Sequence, residues 1–192
     1  LCRIYDPSKG EILIDNLNIK KINIKELRNS IGYVPQSTFL FSETIEKNIK
    51  FGDENVNKNE LENAAVNACL SEDIKLFKDG YKTLLGERGV NLSGGQKQRL
   101  AIARAIIKKP KILILDDSLS AVDTETEEKI LSNINKVSRN MTLVIATHRV
   151  SSAKNCNKII ILQDGKVIEC GSHNSLMKND GYYANTVLKQ SK

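Results

Sequence analysis

The sequence predicts an α/β domain with a mostly parallel sheet at its core and a helical lobe inserted ahead of the later strands. Three observations carry that prediction. From residue 112 to 162 the chain alternates between strand-like and helix-like patterns. Its strands, such as ILIL and TLVIA, are continuous apolar runs, as expected of strands buried on both faces. Between residues 44 and 78 apolar residues instead recur at helical spacing, as in LENAAVNACL.

The chain opens on LCRIYDP, which reads as the end of a helix entering a turn at Asp6 and Pro7. A start in mid-helix predicts a truncated domain with the N-terminal part of its sheet missing. Residues 11–14 form a short apolar run between turn residues and predict one strand of a hairpin. Residues 31–34 predict a second strand, which Pro35 ends. Gly80 and the turn at 86–89 close the helical block. Ser93 then stands where an N-cap belongs, ahead of a helix running to about Lys108 and stopped by Pro110. A strand at 112–116, a helix at 124–137 and a strand at 142–146 follow. After a short helical turn comes a strand at 158–162, and Asp164-Gly165 turns it into a hairpin partner at 166–170. The tail, with Leu176, Met177, Tyr183, Val187 and Leu188, predicts one or two closing helices. The chain divides as one partial domain: 1–43 the end of a core lobe, 44–92 the helical lobe, 93–170 the remaining core, and 171–192 the C-terminal helices.

At 192 residues and 40% hydrophobic content the chain can build one well-cored domain. Its longest apolar runs are strand-length, too short to span a bilayer, and its start has no signal-peptide pattern. Cys2, Cys69, Cys156 and Cys170 show neither C-x-x-C pairing nor metal spacing with the two histidines, and read as reduced thiols of an intracellular protein. The net charge of +6 comes from lysines scattered through an Asn- and Ile-rich sequence. With no basic stripe and no interleaved aromatics, it predicts no nucleic-acid partner.

The most specific chemistry lies in VNLSGGQKQRL (residues 90–100), followed closely by KILILDDSLSAVD (residues 111–123). The first opens a helix on Ser93, Gly94, Gly95 and Gln96, where unpaired N–H groups and glycine backbone suit phosphate oxygens. The second is an apolar strand ending on Asp116 and Asp117, and a strand C-terminus of an open parallel sheet faces the ligand crevice. Together they resemble the signature motif and Walker B of the ABC ATPases, whose domains have a P-loop NTPase-like fold. The resemblance covers essentially the whole chain. Gln36, ending GYVPQ, matches the Q-loop residue that touches Mg²⁺ and the attacking water. His148, ending LVIATH, matches the switch histidine, and residues 118–123 match the D-loop. His173, in GSHNSL, reads as a helix-start residue without chemistry. Glu87 and Arg88 resemble the X-loop of ABC exporters, which contacts the transmembrane domain.

The resemblance implies ATP and Mg²⁺ as ligands, with Asp116 and Gln36 toward the metal and Asp117, Gln36 and His148 in catalysis. Ser93, Gly94, Gly95 and Gln96 would clamp ATP held by a second ABC subunit. The parent protein would export a drug, lipid or peptide, with this domain at the cytoplasmic face of the membrane and a transmembrane domain encoded upstream. Two departures stand out. No G-x-x-x-x-G-K-S/T phosphate loop occurs in these residues, the nearest imitation being Gly80-Tyr81-Lys82-Thr83, so the 192 residues alone are expected to be inactive. Asp117 stands where active ABC ATPases carry Glu, which resembles the weak-site subunit of heterodimeric bacterial exporters. The rival readings are an inactive remnant of such a domain, a soluble non-transport ABC ATPase, and a homodimer in which Asp suffices.

Overall fold

A computed structural model describes residues 1–137 and 141–190. Of the expected segments, 93–170 and 171–192 each include a few positions outside that set. The chain begins with a small antiparallel hairpin, β1 (Leu13–Ile14) and β2 (Leu17–Asn18), followed by α1 (Ile24–Ser30) and β3 (Ile31–Val34). Asn23 caps α1 by accepting from the Lys25 and Glu26 amides. A small apolar cluster of Ile19, Leu27 and Ile31 holds the hairpin and α1 to the sheet.

The helical block is three short helices: α2 (Ile45–Lys50), α3 (Lys58–Asn67) and α4 (Ser71–Leu76). Thr44 caps α2, and Asn57 with Glu60 forms a reciprocal capping box on α3. The continuous helical pattern breaks at two places. The first falls on the largely polar stretch at residues 51–57, with Gly52 and Asp53, and the second inside LENAAVNACL, where the apolar spacing runs straight through. Gly52 passes so close to α5 (Gly94–Ile106) that a Cβ there would lie 2.2 Å from the Arg104 carbonyl oxygen. Cys69 adopts a left-handed φ of 52° between α3 and α4.

Helix α5 starts at the expected cap. Ser93 Oγ accepts from the Gln96 amide, and the Gln96 side chain returns to the Ser93 amide. It ends near Ile107, slightly earlier than expected. Then come β4 (Ile112–Asp116), α6 (Thr124–Val137), β5 (Thr142–Ala146) and α7 (Val150–Ala153). Strands β3, β4 and β5 form a parallel sheet in that order, with Ile31 opposite Ile112 and Ile112 opposite Thr142. One apolar cluster runs from Val34 through Ile45, Ile49, Leu61 and Ala65 to Leu100, Ile102, Leu113, Ile130 and Ile134. It packs the helical block and the sheet onto the two sides of α5.

The last strand pair differs from the expectation of one continuous sheet. Among the described residues strand β6 (Ile159–Gln163) pairs only with β7 (Lys166–Gly171), antiparallel through the Asp164-Gly165 turn, and is not bonded to β5. Strand–helix alternation reports the strands but not their hydrogen-bond partners. Here β5 is left only partly covered, while Ile160, Leu162 and Val167 are exposed. Helices α8 (His173–Lys178) and α9 (Tyr182–Gln190) close the chain, with Leu176 and Tyr183 packed on Ile159. His173 shares a 2.8 Å hydrogen bond with the Tyr183 hydroxyl.

Candidate functional site

The ends of β3, β4 and β5 converge, and the residues that follow them form the site. Asp117 is the junction. Its Oδ2 accepts from the Gln36 amide nitrogen at 3.0 Å, and its Oδ1 lies 3.0 Å from His148 Nδ1. Its own amide donates to the Ala146 carbonyl at 2.8 Å, tying the exit of β4 to that of β5. Asp117 has φ of 46°, a left-handed conformation that Asp tolerates better than the longer Glu, through its short polar side chain. The Asp117 carboxylate is largely covered, whereas the His148 side chain is 72% exposed. With Nδ1 facing Asp117, the Nε2 face of the imidazole is turned to a further partner.

Asp116 points along the opposite side of the strand, and its Oδ2 accepts from the Tyr33 hydroxyl at 3.0 Å. Burial and the Asp116 carboxylate raise the Tyr33 phenol above its ordinary pKa. The donor set suits a hard cation: a carboxylate on Asp116, and an amide oxygen on Gln36 whose nitrogen is already committed to Asp117. Among the described residues no three His, Cys, Asp or Glu side chains gather into a metal-holding group of their own.

Ser93, Gly94, Gly95 and Gln96 sit on a different element. They make no hydrogen bond to Gln36, Asp117 or His148 among the described residues. The Ser93 cap uses an oxygen lone pair, so it does not consume the hydroxyl proton. Gln96 is turned inward, its Oε1 on the Ser93 amide at 2.9 Å and its Nε2 on Asp73 of α4 at 2.8 Å. Arg99 joins the same carboxylate at 2.8 Å. The glycines have a second reason to be glycine: a Cβ on Gly95 would lie 2.9 Å from the Ala121 carbonyl oxygen, and one on Gly94 3.3 Å from the Ala121 Cβ. Gln98, two residues on, accepts from the Ala121 amide and donates to Ser120. The start of α5 is thus pressed onto residues 118–123, the loop that follows Asp117.

Glu87 and Arg88 lie on an exposed 3-10 turn (Glu87–Gly89), with Arg88 at φ of 51°. Gly89 rests against Leu40 so closely that a Cβ would come within 2.8 Å of it. That contact joins the turn to the segment leading away from Gln36. The same segment is laced by the buried Asn48, which bonds Phe41, Glu43 and Thr44. Arg104 of α5 donates to the Asn48 and Phe39 carbonyls and to Asn48 Oδ1. Burial pulls the Arg104 guanidinium down to about 10, still charged at neutral pH.

Known proteins place this geometry. The sequence profile of the ABC transporter family matches residues 1–120. The chain belongs to the ABC transporter family. The "ABC transporter B family member 6" of Dictyostelium discoideum is 46% identical over 184 residues, covering 96% of this chain and 27% of that protein. The "Iron-sulfur clusters transporter ATM1, mitochondrial" of Chaetomium globosum is 42% identical over 192 residues, covering 99% of this chain and 32% of that one. A solved structure described as a bacterial Atm1-family ABC exporter with ATP bound superimposes with a TM-score of 0.96 at 41% identity. It covers 100% of this chain and 34% of its own. The chain therefore spans about a third or less of the length of these proteins.

Within this ABC domain the sequence had pointed to Gln36, Asp116, Asp117 and His148. It had not pointed to Tyr33, Asp73, Gln98, Arg99 or Arg149. Tyr33 could have been found from the two-residue period of β3, which puts it on the face of Ile31 and opposite the β4 register of Ile114. Asp73 and Gln98 carry no local signal, since each is paired more than twenty residues away.

Proposed function

We propose that this domain binds ATP with Mg²⁺ and, paired with a second ABC subunit, hydrolyses it to drive export through a membrane-spanning domain. The observation that carries the reading is Asp117 held between Gln36 and His148 at 3.0 Å on each side. A carboxylate in that position can accept a proton from an attacking water, which Gln36 and the Nε2 face of His148 would orient. Asp116 and the Gln36 amide oxygen would hold Mg²⁺, which would neutralise charge developing on the phosphates. The Ser93 hydroxyl and the amides that open α5 would engage the γ-phosphate of ATP held by the partner subunit.

Support for the membrane partner comes from the surface around Glu87 and Arg88. Phe39, Phe51, Leu84 and Val90 are exposed there, and Phe41 stacks between Phe39 and Phe51 with centroids 5.2 and 4.4 Å away. This aromatic surface, on the segment that begins at Gln36, suits a docked helix end of the transmembrane domain. It would place the domain at the cytoplasmic face.

The finer reading is a heterodimer of unequal sites. Asp is one methylene shorter than Glu, and a shift of about 1 Å in a catalytic group can cost roughly a hundredfold in rate. This chain would contribute the weak site through Asp117 and complete the strong one through Ser93. The test of the basic reading is His148→Ala in the reconstituted transporter that carries this domain, measured beside its partner subunit's equivalent change. Loss of turnover when both are replaced supports the reading. Unchanged turnover with both replaced removes His148 from the chemistry.

A further inference from the structure

Among the described residues the His148 side chain has one polar contact, to Asp117, and it is largely exposed, yet the backbone carrying it is gripped from two directions. On one side Gln190 of α9 donates to the His148 carbonyl and accepts from the Val150 amide, both at 2.8 Å. On the other, Arg149 reaches across to the loop after Asp117. Its Nη1 donates to the Leu119 carbonyl at 2.9 Å and the Val122 carbonyl at 3.0 Å, and its Nη2 donates to Thr124 Oγ1 at 3.2 Å.

Beneath it lies Glu127, fully buried in the first turn of α6, with Oε2 2.9 Å from Arg149 Nη1. Glu127 Oε1 accepts from Ser151 at 3.0 Å and also from Ser152. A buried ion pair is a poor way to gain stability, because removing both charges from water offsets most of their attraction. What this pair supplies is direction. The planar guanidinium can address two carbonyls, a hydroxyl and a carboxylate in one rigid arrangement, which an ammonium cannot.

We propose that Arg149, anchored by Glu127, is a positioning residue that sets His148 against Asp117 by fastening the switch segment to loop 118–123. The proposal rests on the catalytic reading of His148. The clamp also closes a chain of contacts, since Gln98 of the signature helix grips the same loop at Ser120 and Ala121 from the opposite side. Arg149 touches no nucleotide in this scheme, so its removal leaves binding alone and acts on turnover through the aim of the imidazole.

The experiment compares Arg149→Lys and the paired apolar replacement Glu127→Met with Arg149→Met in the reconstituted transporter, each with intact and with Ala-substituted His148. The partner's own site carries an inactivating change and phosphate release is followed at high protein concentration over long times, so that the slow turnover of this site alone is read and every fall is taken relative to it. The paired replacement keeps the volume and removes both buried charges but orphans the Ser152 hydroxyl and the Leu119 and Val122 carbonyls, so the melting temperature should fall by a few degrees and turnover is read well below it. Turnover should fall by roughly tenfold to a hundredfold, the scale of an ångström-sized misplacement, with the KM for ATP changed by less than about threefold. In the His148→Ala background neither replacement should lower turnover further. If the paired variant does not fold, Glu127→Gln with Arg149→Gln carries the same comparison. Parental turnover in Arg149→Lys and the paired variant overturns the proposal, as does an equal loss with and without His148. If His148→Ala itself has no effect, the catalytic reading fails instead, and the two failures are separable.

Discussion

Asp117 would concentrate the chemistry of this domain into one side chain, because its Oδ2 accepts from Gln36 and its Oδ1 lies 3.0 Å from His148 Nδ1, the two residues that would act with it. Replacing it by Asn keeps the volume and one accepting oxygen but removes the charge. In a transporter with unequal sites that loss falls on the weak site, so Asp117→Asn should leave much of the hydrolysis intact. Ser93→Arg, which places a bulky charge at the start of α5, should nearly abolish it, since Ser93 would serve the partner's strong site. Phosphate release by the reconstituted parent measures both, and loss of all turnover in Asp117→Asn alone sinks the unequal-site reading. Asp73 supports a second residue-scale prediction. It is the common acceptor for Gln96 and Arg99 in a half-buried setting. Asp73→Ala should therefore destabilise the domain by about 1–3 kcal/mol, the cost of orphaning partly buried donors to a charged acceptor. Urea unfolding of the parent's domain reads it, and a change below about 0.5 kcal/mol would show that water replaces the carboxylate.

At the scale of elements, α5 connects the two regions proposed to carry function. Its first turn is pressed on loop 118–123 by Gly95, and Arg104 near its end holds Asn48 and Phe39 beside the segment from Gln36. Motion of the Glu87–Arg88 turn would reach Gln36 through Gly89 on Leu40, and reach Ser93 along the chain. Replacing Glu87 and Arg88 together by Ala should thus reduce transport more than basal ATP hydrolysis, whereas equal losses would mark a folding role. Helix α5 was fully legible in the sequence, because Ser93, the apolar spacing and Pro110 all agree. Strands β4 and β5 were legible for the same reason: long apolar runs admit few other readings. The division of the helical block was not. It depends on Gly52 meeting Arg104, a packing contact that the Gly-Asp pair at 52–53 does not spell out, and on a left-handed Cys69, which leaves no mark in the pattern of LENAAVNACL.

Across the whole molecule, what the sequence could not show is how strands separated by long connections pair. Apolar runs placed β5 and β6 in one sheet, but among the described residues each pairs with its own neighbours, and Ile160, Leu162 and Val167 stay exposed. The same reasoning explains which of the expected residues come together. Those at strand exits, Gln36, Asp117 and His148, are brought together by the parallel order β3, β4, β5 that the alternation itself implies. Those acting across the fold, Glu127 with Arg149 or Gln98 with Ala121, are joined only by packing. The last prediction follows from this scale. The 192 residues hold no glycine loop with a lysine to cradle the β- and γ-phosphates, and among the described residues β5 and β6 each present an unpaired edge, with Ile160 and Leu162 of β6 exposed. Expressed alone, this stretch should hydrolyse no measurable ATP and should associate through those edges, seen as concentration-dependent aggregation by light scattering. Robust Mg²⁺-dependent turnover by the purified 192 residues would mean that phosphates are held by groups other than a lysine-bearing glycine loop. The basic side chains nearest Asp116 and Asp117 would then be the first to replace.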